Sequence, residues 1–199
     1  MVISKRHTLG VWRVSGSSYP FRPKNPEARR RNRMNTKNIS LTAVIAALYA
    51  AIVIMLAPIS FGPIQLRVAD ALIPLAALLG LPAVYGVALG ALVANTYWFL
   101  SPIDVILGAL ANLIAGYIIY RYREKLVPAS LAASTAIGVI VGGYLWLFFP
   151  PPSILGIQLP AWLGMIISIT LSSILAVTVI GLSLLKLIEG SGYLDQLKA

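Results

Sequence analysis

The sequence contains no cysteine, and its single histidine, His7, lies near the N-terminus. Without cysteine the chain cannot form a disulfide framework, a thiolate metal site or a cysteine nucleophile. Charged residues are also scarce, at 11% of the 199 residues, whereas hydrophobic residues make up 58%. Soluble domains carry about a quarter charged residues, so this chain cannot cover an ordinary water-facing surface. The composition excludes a soluble globular protein, a disordered chain and a free nucleic-acid-binding domain, and it predicts one membrane-embedded domain.

Several catalytic and nucleotide-binding motifs are missing as well. The sequence has no Gly-x-x-x-x-Gly-Lys-Ser/Thr phosphate loop, no His-Glu-x-x-His zinc motif and no Gly-x-Ser-x-Gly nucleophile elbow. No repeat at a fixed spacing is visible, which disfavours a symmetric transporter built from inverted halves. We therefore predict a protein that is not an enzyme and that carries no cofactor and no metal ion.

The net charge of +10 is concentrated near the N-terminus. Residues 1–38 contain ten Lys or Arg and one acidic residue, Glu27, whereas residues 39–199 contain six basic and five acidic residues. A basic segment with three prolines cannot bury a core. We predict a disordered cytoplasmic tail over 1–38 and a six-helix membrane domain over 39–199. The tail is either simply solvated or in contact with anionic lipid headgroups, and Met34 is an alternative start.

Apolar runs separated by proline, glycine and basic residues predict an all-α integral membrane protein with six transmembrane helices. A span needs about 20 residues, because a helix rises about 1.5 Å per residue and the hydrocarbon core is about 30 Å thick. The uncharged run from Ala71 to Ile103 is too long for one span, and Gly80-Leu81-Pro82 divides it by a turn. The predicted helices are Ile39–Ala57, Arg67–Leu79, Pro82–Leu100, Pro102–Tyr122, Val127–Phe148 and Pro160–Leu187, with long loops at Pro58–Leu66 and Phe149–Leu159.

The basic residues in the loops predict the orientation of these helices. Six spans place both termini and the loop after helix four on one side, which collects the basic tail together with Arg121, Arg123 and Lys125. The opposite side has only Arg67. Because cytoplasmic loops are enriched in basic residues, we predict a multi-pass protein of the cell membrane with both termini in the cytoplasm.

A few polar side chains interrupt the apolar runs, and most of them fall near the predicted outer side. Polar groups at membrane depth are costly and usually functional. Asp104, Gly108 and Asn112 follow a spacing of four residues and share one helix face. They are expected to line a cavity in which Gly108 leaves room for a flat ligand. The further candidates are Gln65, Arg67, Asp70, Asn95, Tyr97 and Trp98.

Each of these residues also has a purely structural interpretation. Asp104 follows Pro102 in a first helical turn, where a carboxylate acts as a cap and offsets the helix dipole. Arg67 and Asp70 are three residues apart and can pair with each other on one helix face. Asparagines such as Asn95 and Asn112 often join helices in membranes, and aromatic residues such as Trp98 often form the interfacial belt. The convergence on one side of the membrane is the stronger indication of a site.

The first helix carries small side chains at a spacing of four residues. Ala43, Ala47 and Ala51 form one such stripe. Small residues let a second helix approach closely, and packing drives helix association in lipid. The stripe indicates either a contact within this bundle or docking of a second membrane protein.

The segment Ile59–Leu72 reads Ile-Ser-Phe-Gly-Pro-Ile-Gln-Leu-Arg-Val-Ala-Asp-Ala-Leu. It resembles the Phe/Gly-x-Ile-Gln-x-Arg-x-x-Glu/Asp-Ala-Leu segment of the QueT (queuosine precursor transporter) family, which are S components of energy-coupling-factor (ECF) transporters. A second similarity is Ala94-Asn95 with Asp104 and the following Gly108-Ala109-Leu110. The resemblance covers about Met34–Tyr122. Asp70 departs from it, because that family has glutamate there more often.

The resemblance implies a six-helix S component that captures a deazaguanine precursor of queuosine or archaeosine outside the cell. It also implies association with a coupling transmembrane protein and two ATPase subunits through the small-residue face of Ala43, Ala47 and Ala51. The expected substrate-binding residues are Phe61, Gln65, Arg67, Asp70, Asn95, Trp98, Asp104 and Asn112.

These residues are chemically suitable for such a ligand. A carboxylate accepts the adjacent N–H donors of a guanine-like edge, amide and guanidinium groups donate to its carbonyl, and aromatic rings stack on its plane. If the ligand carries an aminomethyl cation, the second carboxylate is expected to pair with it. Two alternatives stay open: an S component for another vitamin or heterocycle, and a membrane scaffold or assembly subunit without a small-molecule site.

Overall fold

The computed structural model describes residues 36–60, 66–150 and 159–190. The regular secondary structure in these ranges is helical, and no strand occurs in them. The six main segments are α1 (Thr36–Met55), α2 (Val68–Leu79), α3 (Leu81–Tyr97), α4 (Pro102–Arg121), α5 (Leu126–Leu145) and α6 (Ala161–Gly190). A single helical turn, Ala57–Ser60, follows α1.

Four of these helices are long and apolar enough to cross a membrane, namely α1, α4, α5 and α6. Helices α2 and α3 are apolar but have fewer than 18 residues each, and α3, with 17 residues, is about 25 Å long at 1.5 Å per residue. In the described residues the prediction of an all-helical fold is thus confirmed and its apolar helices suit a membrane, whereas the count of six transmembrane spans is not confirmed.

Helix α2 is shorter and less regular than a membrane span because of its sequence. Its first part, Val68–Leu75, is a 3-10 helix that contains Pro74, and only Ala76–Leu79 is α-helical. Every residue from Ala69 to Ala76 is buried. Irregular backbone is tolerated at membrane depth where protein surrounds it, and here Pro74 packs against Gly181 of α6. Gly80, with φ of 70°, makes the predicted turn into α3.

The boundaries differ from the predicted ones at several places. Residues 36–38, expected in the tail, form the first residues of α1, and the rest of the predicted tail lies outside the described residues. The predicted loop Pro58–Leu66 is wrong at its start, because residues 57–60 continue as a helical turn. Helix α6 contains a π-helical stretch, Ile174–Gly181, between its two α-helical parts.

Close approaches at glycine hold neighbouring helices together. A Cβ atom on Gly90 of α3 would lie 2.7 Å from the carbonyl oxygen of Ala46 in α1, and one on Gly142 of α5 would lie 2.6 Å from the Cα of Ile166 in α6. Lipid offers no hydrophobic driving force between helices, so such backbone contacts provide much of the packing energy. They bring α1 against α3 and α5 against α6, and α3, α4 and α5 pack in sequence between them.

Candidate functional site

The structure brings five of the eight expected binding residues together in the interior of the bundle. Arg67, Asp70, Asn95, Asp104 and Asn112 are all buried, with exposed fractions between 0% and 8%. They come from α2 and the residue before it, from α3 and from α4. Two hydrogen-bonded chains connect these side chains to one another and to two tyrosines that the sequence analysis did not select.

The first chain joins α4, α1 and α2. Asn112 donates from Nδ2 to the hydroxyl of Tyr49 at 2.6 Å. Tyr49 in turn donates to Oδ1 of Asp70 at 2.5 Å. Tyr49 is fully buried, so its hydroxyl needs partners of this kind. These two hydrogen bonds hold the carboxylate of Asp70 against α1.

The second chain begins before α2 and ends in α4. Arg67 donates from Nη2 to Oδ1 of Asn95 at 3.1 Å. The amide nitrogen of Asn95 donates to the backbone carbonyl of Asp104, also at 3.1 Å. Asn95 therefore has both sides of its amide occupied, and it connects the start of α2 to the start of α4 through α3.

Asp104 has one carboxylate oxygen in use and one without a partner. Tyr144 of α5 donates its hydroxyl to Oδ1 of Asp104 at 2.8 Å. The other oxygen, Oδ2, is buried and accepts no hydrogen bond within the described part of the chain. A buried, unsatisfied polar atom is costly, and this one lies among polar groups that are otherwise connected. It is the group in the cluster that can accept a donor from a ligand.

The helix cap at this position is supplied by Ser101 rather than by Asp104. The Oγ of Ser101 accepts the backbone N–H of Asp104 at 3.1 Å, so Ser101 is the N-cap of α4. Asp104 still lies in the first turn, where the helix dipole stabilises a negative charge. The interpretation of Asp104 as the cap itself is therefore wrong, because its carboxylate contacts Tyr144 instead.

The expected role of Gly108 is also wrong. A Cβ atom at Gly108 would collide with the amide nitrogen of Asn95. The missing side chain thus makes room for Asn95 and for its hydrogen bond to Asp104, not for a flat ligand. Asp104, Gly108 and Asn112 do share one face of α4, because the side chains of Asp104 and Asn112 both belong to the cluster. The space next to Gly108, between them, is filled by Asn95 of α3.

The remaining three expected residues are Trp98, Phe61 and Gln65. Trp98 lies at the C-terminal end of α3 with 52% of its surface exposed, one turn beyond Asn95. Phe61 and Gln65 lie outside the described residues. The stacking and amide roles predicted for these three side chains stay predictions.

Tyr49 and Tyr144 are the site residues that sequence reasoning missed. Both lie in apolar helices, and their hydroxyl groups were not considered in the sequence analysis. A phenolic hydroxyl inside a membrane helix needs a hydrogen-bond partner as much as an asparagine does. Counting such hydroxyl groups among the polar atoms of the spans would have selected both tyrosines.

The cluster contains more acidic than basic side chains. Between Lys37 and Arg121 the sequence contains three charged residues, Arg67, Asp70 and Asp104. All three are buried, and the Arg67 guanidinium interacts electrostatically with both carboxyl groups. Among the described residues no group of three or more His, Cys, Asp or Glu side chains is placed to hold a metal ion. The arrangement is suited to a polar organic ligand that donates hydrogen bonds.

The chain is similar to one family of known proteins. Residues 39–190 match the model of a family described as QueT transporter. No curated protein and no solved structure gives a significant match to the chain. The match confirms the resemblance seen in the sequence, and a family of transporters rather than catalysts agrees with the prediction that the chain is not an enzyme. Together with its apolar helices, the match identifies this multi-pass membrane protein as a member of the QueT transporter family.

Proposed function

We propose that the chain is the substrate-binding membrane subunit, or S component, of an ECF-type uptake transporter. Its ligand in this proposal is a deazaguanine precursor of queuosine or archaeosine. The observation that carries the proposal is the buried cluster of Arg67, Asp70, Asn95, Asp104 and Asn112, with an unpartnered carboxylate oxygen inside an apolar bundle. Membrane proteins retain such costly groups mainly where a substrate or ion uses them.

The hydrogen-bonding capacity of the cluster fits one edge of a guanine-like ring. The free Oδ2 of Asp104 can accept one N–H donor of such a ligand, from the ring edge or from an aminomethyl cation, and charge-assisted bonds of this kind are the strong ones. Arg67 has five N–H donors in a fixed fork and can approach a ring carbonyl. Trp98, one turn from Asn95, and Phe61 provide aromatic faces for stacking, and Gln65 adds a further amide.

The formal charge of the cluster favours a cationic form of the ligand. Two carboxyl groups face one guanidinium, and a buried charge without a partner is expensive. An aminomethyl-deazaguanine brings a positive charge that would pair with the carboxylate of Asp104, whose Oδ2 has no hydrogen-bond partner within the described residues, whereas the cyano form brings none. We therefore infer that the aminomethyl form binds more tightly than the cyano form.

The alanine stripe of α1 is available to a partner in the membrane. Ala43, Ala47 and Ala51 are exposed on the bundle, whereas Ile45 and Tyr49 are buried on the opposite side of the same helix. An exposed face of small side chains lets another helix approach closely. In our proposal the coupling transmembrane protein docks here, two ATPase subunits bind to it, and both termini of the chain are cytoplasmic.

The ligand is tested by direct binding to the purified full-length chain in detergent. We expect aminomethyl- and cyano-deazaguanine to bind below about millimolar concentration by calorimetry, and Asp70→Asn and Asp104→Asn each to weaken the binding. Riboflavin and biotin serve as unrelated ring compounds. Absence of deazaguanine binding with tight binding of another heterocycle would reassign the substrate, and absence of any ligand would favour a scaffold without a small-molecule site.

The docking face is tested by co-purification with the coupling protein and its ATPases. Replacing Ala47 with tryptophan should reduce recovery of the partner proteins by about tenfold or more, since a bulky side chain prevents close helix approach. Leu48→Trp, at an exposed position of the same helix about 100° around the axis from Ala47, is the matched control for added bulk. Equal recovery with the Ala47 and wild-type chains would exclude this face as the docking surface, and substrate binding should stay unchanged in both variants.

A further inference from the structure

An apolar groove runs between the start of α3 and the end of α4, at the opposite end of α4 from Asp104. It encloses about 340 Å³ and is lined by Leu81, Val84 and Tyr85 of α3 and by Leu113, Ile114 and Tyr117 of α4. This volume lies within the range of about 300–1,000 Å³ that is typical of small-molecule sites. The groove has no charged lining residue, so by itself it accommodates a hydrocarbon chain.

A basic cavity lies at the same end of α4. The turn between α4 and α5 encloses about 350 Å³ and is lined by Tyr120 and residues 121–125. These five residues are exposed, and they include Arg121, Arg123 and Lys125 against one acidic side chain, Glu124. The guanidinium of Arg121 lies over the ring of Tyr122 at 5.7 Å, which leaves the other two cations to face a ligand.

Two tyrosines connect the groove to the cavity. Tyr117 lines the groove and Tyr120 lines the basic cavity, and their ring centroids are 6.2 Å apart. The site therefore changes from apolar to basic over about one helical turn. Tyrosine rings are enriched at the boundary between hydrocarbon and headgroups, which places this change of polarity at the membrane interface.

We propose that the groove and the basic turn together bind one anionic phospholipid. An acyl chain lies between α3 and α4, and the phosphate contacts Arg123 and Lys125. Basic pockets between transmembrane helices are typical sites for acidic headgroups. A partner helix fits less well, because close helix packing needs small residues and the exposed lining side chains here include Tyr85 and Tyr117. The site is separate from the polar cluster and does not depend on the proposed substrate.

The test measures lipid binding to the purified full-length chain by native mass spectrometry, with phosphatidylglycerol and phosphatidylcholine of equal chain length. We expect phosphatidylglycerol to bind more tightly. A basic residue near an anionic surface contributes about fivefold in affinity, so R123Q and K125Q should each lose about fivefold and the double variant about 25-fold. Substitution of these exposed side chains leaves the packed interior untouched.

The matched control is K37Q, which removes an exposed positive charge from the start of α1. It should bind phosphatidylglycerol within about twofold of the wild-type chain. Equal binding of the two lipids, or an equal loss in K37Q and R123Q, would overturn the proposal in favour of nonspecific attraction. Displacement of phosphatidylglycerol by an equal concentration of glycerol phosphate would also overturn the proposal. The acyl chain in the groove would then add nothing to the binding affinity.

Discussion

Replacing Asp104 with asparagine is expected to weaken binding of aminomethyl-deazaguanine at least about 30-fold. Removing one partner of a buried charge pair costs about 2–5 kcal/mol, and the lower value corresponds to this factor. The asparagine retains a side-chain oxygen that can accept the hydroxyl of Tyr144, so the change removes the charge and keeps the local hydrogen bond. Calorimetric titration of the purified chain measures the effect.

The neutral cyano compound separates charge from shape in this experiment. Because it brings no cation, its affinity for Asp104→Asn should fall by only about fivefold, the value of one ordinary hydrogen bond. Glu124→Gln removes a carboxylate from the exposed turn at the other end of α4 and should leave both affinities unchanged. Equal losses for the two ligands in Asp104→Asn would show that the charge of this residue is not what selects the substrate.

The residues of the candidate site were predictable one helix at a time, but their contacts were not. The spacing of Asp104 and Asn112 correctly placed both side chains on one face of α4. The same spacing gave the wrong role to Gly108, because the amide of Asn95 from α3 occupies the space above it. Which side chain fills a gap depends on the neighbouring helix, and periodicity within one helix carries no information about it.

The fold shows the same division between local and tertiary information. Gly80, Pro82 and Pro102 correctly marked the starts of α3 and α4, since their backbone restrictions act locally. The length of α2 was close to the prediction, yet its 3-10 form depends on Pro74 and on burial by the surrounding helices. Likewise, the alanine stripe of α1 could be predicted from the sequence. Which side of α1 is exposed on the bundle depends on the packing of Gly90 of α3 against Ala46.

Replacing Gly142 with alanine is expected to lower the free energy of unfolding by about 1–3 kcal/mol, the usual cost of overpacking. Its new Cβ would lie 2.6 Å from the Cα and 2.8 Å from the backbone nitrogen of Ile166. Backbone atoms cannot rotate away as a side chain can, so α5 and α6 must separate. Thermal unfolding in detergent should show a fall in the midpoint of roughly 2–4 °C for each kcal/mol lost.

The adjacent Gly143 provides a control of identical chemistry. A Cβ atom there meets no other atom within 4 Å, so Gly143→Ala should be neutral or should stabilise the chain by up to about 1 kcal/mol through its better helix propensity. The two substitutions also differ in their effect on the site, because Tyr144 follows directly and reaches Asp104 from α5. Moving α5 displaces that hydroxyl, so Gly142→Ala should weaken ligand binding as well, whereas Gly143→Ala should not. Equal stability of the two alanine variants would contradict the close α5–α6 contact.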